Sequence, residues 1–216
     1  MNMKRLLAML LAVTMLLTLC ACKNKSKSEG ENASTSTTRT PIPIGDKEIY
    51  AENFITAYMM RDMLTRLPMY CYDARAKWEA ERIAENGDIE TFLKVAQENA
   101  NEKNSGYTFN SVDEYFAGYR DFIVEEYLRI YGTYTTSATA ISCEKQDAET
   151  VAKTIDGVFQ AVDKAYLDVD AINAITEAYT ITVEWKVDGE LKDYTEHKQV
   201  QVVLYKGEWR VASHSI

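Results

Sequence analysis

From Tyr179 to Val187 the chain alternates without a slip: Tyr179, Ile181, Val183, Trp185 and Val187 are apolar or aromatic, and Thr180, Thr182, Glu184 and Lys186 between them are polar. A period of two is the signature of a strand with one buried face. The Asp188-Gly189 pair that follows predicts a tight hairpin, and a returning segment from Leu191 to Tyr205 alternates again through Val200, Val202 and Leu204. Lys206-Gly207 predicts a second turn before Trp209 and Val211, so the chain is expected to end in a three-stranded antiparallel meander. Upstream, Tyr134 to Cys143 is rich in Thr, Ala and Ile and reads as a further strand.

Elsewhere the apolar period lengthens to that of a helix. Tyr50, Phe54, Ile55, Tyr58, Met63 and Leu67 form a stripe that predicts one helix from Lys47 to Arg66, ended by Pro68. A second, from about Tyr72 to Glu85 around Trp78, stops at Asn86-Gly87. Asp88 is placed to cap a third that buries Ile89, Phe92, Leu93 and Ala96. Ser111-Val112-Asp113-Glu114 matches a capping box, in which the serine accepts from the third backbone N–H and the glutamate reaches back. The helix it opens carries Val112, Tyr115, Phe116, Tyr119, Phe122, Ile123, Tyr127 and Ile130, an aromatic stripe that lines a pocket or, more ordinarily, forms core. Asp147 opens another helix with Val151, Ile155, Val158, Phe159, Val162 and Tyr166 on one face. N-terminal helices over 47–131, then a helix packed on a curved antiparallel sheet over 134–216, describe an α+β fold in one domain spanning 46–216.

The first 22 residues stand apart. Lys4 and Arg5 precede an uncharged run of 16 residues from Leu6 to Ala21, the layout of a secretory signal. A spanning helix needs roughly 17 to 25 apolar residues, so length favours a signal over a transmembrane anchor. The run ends in Leu19-Cys20-Ala21-Cys22, which resembles the lipobox of bacterial lipoproteins: an aliphatic residue three before the cysteine, a small residue just before it, then the acceptor thiol. The resemblance implies removal of residues 1–21, a diacylglyceryl thioether on Cys22, and a mature chain lipid-anchored at the extracytoplasmic face of the cell membrane. Two acyl chains, at about 0.8 kcal/mol per buried CH₂, hold where one would not. Cys20 is the other candidate acceptor, but bulky Leu19 fits poorly beside a cut. The Ser/Thr/Lys-rich residues from 22 to 45 read as a disordered polar tether with a reach on the order of 25 Å.

Composition changes this picture little: 46% hydrophobic and 26% charged residues with three prolines describe a foldable globular chain. Charge changes it more. The net charge is −9; the leader supplies two positive charges and the tether a net two, which leaves −13 on the remaining domain. So acidic a body is repelled by phosphate backbones, which argues against nucleic acid as a partner.

The C-terminal order of helix, curved sheet and strand-Asp-Gly-strand-Lys-Gly-Glu-Trp-Arg-Val pattern, over about 147–216, resembles NTF2-like and cystatin-like α+β domains. That superfamily includes enzymes, ligand-binding modules and adaptors, so the resemblance does not fix a function. Catalytic motifs are scarce. His197 and His214 have no acidic or nucleophilic neighbour at a known spacing, and His197 falls opposite in parity to Val200, Val202 and Leu204, which points it to solvent. Ser142-Cys143-Glu144-Lys145 has the S-x-x-K spacing without its companion motifs and lies in an expected strand. Asp168-Val169-Asp170 can cap a short helix with Ile172 and Ile175 or be read as a fragment of a calcium loop, but it lacks the glycine and terminal glutamate of an EF-hand, and no cofactor or metal is called for. Cys71 and Cys143, the two thiols of the domain, are a candidate disulfide.

Three functions follow. A non-enzymatic module would bind a small ligand or an envelope protein in an aromatic groove, held at the membrane by Cys22. An NTF2-like enzyme would carry a polar pocket inside the cone of the sheet. An accessory or substrate-binding lipoprotein of a transport system would need two α/β lobes, a pattern this chain does not have.

Overall fold

The computed structural model of the 216-residue chain describes residues 46–103, 106–162 and 173–214, the last part of a helix at 156–162 by its backbone alone. The signal at 1–21, Cys22, the tether, Asp168-Val169-Asp170 and the side chains of Val158, Phe159, Val162 and Tyr166 lie outside the described residues.

The fold is α+β. In chain order come α1 (Asp46–Met59), α2 (Met63–Arg66), a 3-10 turn (Leu67–Met69), α3 (Ala74–Asn86), α4 (Ile89–Glu102) and α5 (Val112–Tyr131). Then follow β1 (Tyr134–Gln146), α6 (Ala148–Val162), β2 (Ile175–Gly189), β3 (Tyr194–Tyr205) and β4 (Glu208–His214). The strands form one antiparallel sheet in the order β1-β2-β3-β4, which contains the expected meander and adds β1 at its edge.

The inner face of the sheet carries the core. Ile181, Val183, Trp185, Val187, Val200, Val202 and Val211 have no exposed surface. Helix α1 packs across all of the strands and buries Ala51, Phe54, Ile55 and Tyr58, the i, i+3, i+4, i+7 set of one face. On the outer face, Val151 and Ile155 of α6 cover Ala178, Val203 and Ala212 in a smaller cluster. Beyond that patch the outer face is polar, and His197 stands on it exposed, its Nε2 3.2 Å from the Glu184 carboxylate.

The predicted helix over 47–66 is two helices. At its break Asp62 N–H donates to Ala57 O (2.8 Å) and Arg61 N–H to Tyr58 O (3.2 Å), the paired closing bonds of a Schellman end, with Arg61 at φ 55° where glycine is usual. Asp62 then caps α2 by accepting from Thr65 N–H at 3.1 Å. The stop at Asn86-Gly87 is as expected, with Gly87 at φ 97°. At the capping box Ser111 Oγ accepts from Glu114 N–H (3.2 Å), but Glu114 reaches one residue further back than expected, to Asn110 N–H at 2.7 Å.

The Asp188-Gly189 hairpin also differs. Both residues remain in β2, paired with Thr135 and Tyr134, and the chain reverses over 190–193. Gly189 is needed for close approach: a Cβ there would stand 2.6 Å from Lys192 O and 2.7 Å from Tyr131 O. Lys206-Gly207 is the tight turn foreseen, with both residues at positive φ.

Cys71 and Cys143 are free thiols. Cys71 N–H donates to Val211 O (2.9 Å), and the residues about it alternate faces: Tyr70 joins the inner core and Cys71 the outer cluster. Cys143 pairs with Ile181 and packs on the inner side. With the sheet between them the two sulfurs cannot meet without moving backbone. Burial pushes each thiol up to about 11.

Candidate functional site

The aromatic stripe of α5 divides between two neighbours. Residues 116, 127 and 131 turn toward the sheet: Phe116 is 1% exposed, and Tyr131 and Tyr127 meet edge to face at 5.3 Å, with Tyr134 beyond. Residues 115, 119 and 122 lie a third of a turn away and face α3 and α4 instead. Trp78 of α3 packs between the two sets, edge-on to Phe116 (4.7 Å) and to Phe92 of α4 (5.4 Å).

Between the end of α3, α4 and α5 is an open cleft of about 570 Å³, the size of a small-molecule site. Phe92, Val95, Ala96 and Ala100 of α4 form one wall, and Tyr115, Gly118, Tyr119 and Phe122 of α5 form the other. Tyr107 and Phe109, on the connection between those helices, line it as well; Glu85, Asn86, Asn99, Lys103 and Glu125 supply the polar positions. Val95, Tyr119 and Phe122 each keep more than a third of their surface exposed, an apolar opening of the sort that marks binding surfaces.

Gln97 holds Tyr107 and Phe109 of the connecting segment. Gln97 Nε2 donates to Tyr107 O at 2.9 Å and its Oε1 accepts from Phe109 N–H at 2.8 Å, so the amide replaces a backbone partner that neither residue has in a helix or strand. Tyr107 and Phe109 stack with planes 13° apart, and Phe109 meets Tyr115 edge to face at 5.4 Å. Burial and the Glu125 carboxylate beside it push the Tyr107 phenol up to about 12, so it stays protonated.

The sequence offers Tyr115, Tyr119 and Phe122 as pocket candidates and Phe92 as core, and its periodicity marks none of Tyr107, Phe109 and Gln97. Gly118 was the available signal. A glycine inside a helix costs about 1 kcal/mol relative to alanine and marks a close approach, here that of the Phe109 ring.

The inner face of the sheet, where an NTF2-like enzyme would hold its pocket, is filled by Phe54, Ile55 and Trp185. At its edge His214 sits among Phe54, Tyr58 and Tyr70, with Tyr70 Oη 3.3 Å from Nδ1. Burial, with Arg66, Lys198 and Arg61 nearby, holds the imidazole down at about 4, and burial pushes the Tyr70 phenol up to about 12. A base that weak and an acid that weak are ill matched to proton transfer near neutral pH. Ser142 and Lys145 lie along β1, where three residues span about 10 Å, so the lysine does not reach the serine as it would on a helical turn. Among the described residues no group of three or more His, Cys, Asp or Glu side chains could hold a metal ion, and no helix is long and apolar enough to cross a membrane.

Comparison with known proteins finds no matching family model, no matching curated protein and no matching solved structure.

Proposed function

We propose that the chain is an extracytoplasmic lipoprotein, anchored through Cys22, whose folded domain is a non-enzymatic binding module for a small apolar or aromatic ligand. The observation that carries the binding half is the cleft between α3, α4 and α5, walled by aromatic rings and open to solvent. Its support is physical: rings of Phe and Tyr offer large apolar area at little conformational cost, and the Gln97 clamp fixes one wall before any ligand arrives. The anchor half rests on the Leu19-Cys20-Ala21-Cys22 sequence and the leader before it.

The binding half is tested with N-phenyl-1-naphthylamine, a neutral aromatic probe whose emission rises in apolar surroundings. The mature chain is used without lipid, as Cys22→Ala, beside the same chain carrying Ala96→Trp, which fills the cleft from its α4 wall. Saturable binding that the second substitution abolishes, with its circular dichroism unchanged, supports the reading. Equal binding by both chains, or none by either, contradicts it.

A further inference from the structure

Resting on the cleft as a ligand site, we infer that its ligand is an organic cation, an amine or ammonium group carried on an aromatic or alkyl body.

The charges along the cleft are unequal in what they leave free. Glu85 is engaged by Arg82, whose guanidinium lies 3.0 Å away. Lys103 is exposed at the end of α4, where water solvates it. Glu125 lines the cleft one helical turn beyond Phe122, and among the described residues it has no ion-pair partner; the neutral Tyr107 phenol is its neighbour. The Glu125 carboxylate faces the same space as the rings.

Those rings suit a cation for a second reason. The face of an aromatic ring is negative, and a cation within about 6 Å of its centre is attracted to it. Tyr119 and Tyr115 stack with planes 5° apart, and Tyr107 and Phe109 form a second stacked pair on the connection. Aromatic faces with one carboxylate at their border recognise an ammonium group attached to an apolar body, and they reject an anion of the same shape. The acidity of the whole chain acts in the same direction, raising the local concentration of cations and lowering that of anions.

The test compares three soluble probes of one size that differ in charge: 2-phenylethylammonium, 2-phenylethanol and phenylacetate. Each is titrated by ligand-observed NMR at pH 7 against the full-length chain in lipid nanodiscs, with protein-free nanodiscs as the blank. The ammonium is expected to bind about tenfold more tightly than the alcohol, and the phenylacetate more weakly than either. Glu125→Gln, a change at an exposed position, is expected to bring the ammonium to the alcohol's affinity while the alcohol is unmoved. Equal affinities for ammonium and alcohol in the wild type overturn the inference and leave the cleft reading intact, as does a Glu125→Gln variant that keeps the preference. Failure of all three to bind overturns the cleft reading itself.

Discussion

The ring of Phe109 lies so close against Gly118 that a side chain there would force it to shift: a Cβ built on Gly118 would stand 2.7 Å from Phe109 Cε1. The glycine spends helix propensity in the middle of α5 so that the connecting segment can seat against the helix and close one end of the cleft.

Gly118→Ala therefore sets two effects against each other. The helix gains about 1 kcal/mol of propensity, and the displaced ring costs about 1–3 kcal/mol of packing. Urea denaturation is expected to show a net loss of stability or near balance. N-phenyl-1-naphthylamine binding is expected to fall several-fold, since the ring moves into the cleft. A variant more stable by the full propensity gain, with unchanged binding, would show that the contact is slack.

Gln97→Leu removes both hydrogen bonds that hold Tyr107 and Phe109 and leaves the half-buried Phe109 N–H without its partner. The expected cost is about 1–3 kcal/mol. Amide exchange is expected to rise at Phe109 more than anywhere in the sheet, which separates release of this segment from general unfolding.

Much of this architecture was written locally. The alternation from Tyr179 to Val187, the Lys206-Gly207 turn and the caps at Asp88, Ser111 and Asp147 each depend on residues within a few positions, and each formed. The break at Arg61 was hidden because a left-handed helix end is normally announced by glycine, and here Ala57 and Tyr58 carbonyls close the motif on an arginine. The cleft was half legible. The stripe on α5 named Tyr115, Tyr119 and Phe122, but their exposure follows from where Trp78 and Phe92 stop, and the clamp joins Gln97 to a segment a dozen residues away. Sequence periodicity reports which face of a helix is apolar and says nothing of how far the opposing helix stands.

His214 makes stability depend on pH. Its imidazole sits at about 4 in the folded protein, below its ordinary 6.5, so the native state binds fewer protons than the unfolded chain between those values. The stability this group permits is complete above pH 6.5 and declines as the pH falls toward 4. His214→Phe, which fits the ring cluster of Phe54, Tyr58 and Tyr70, is expected to flatten that part of the curve in urea denaturations from pH 7 to 4. An unchanged slope would place the acid sensitivity elsewhere.

The anchor is a separate prediction. Expressed with its own leader in a bacterial host, the chain is expected to sediment with membranes and to carry a diacylglyceryl mass on Cys22, and Cys22→Ala is expected to lose both the mass and the cleavage after Ala21. A wild type that keeps residues 1–21 and gains no lipid would make Leu6 to Ala21 an uncleaved anchor.

The most direct test of the binding module is where a ligand settles. Methyl NMR of the Ala- and Val-labelled mature Cys22→Ala chain, titrated with N-phenyl-1-naphthylamine, reports on both the cleft and the sheet core at once. The account predicts shifts concentrated at Val95, Ala96 and Ala100, with Val183, Val187 and Val202 still. Shifts centred on the inner face of the sheet, or none at saturating probe, would contradict it.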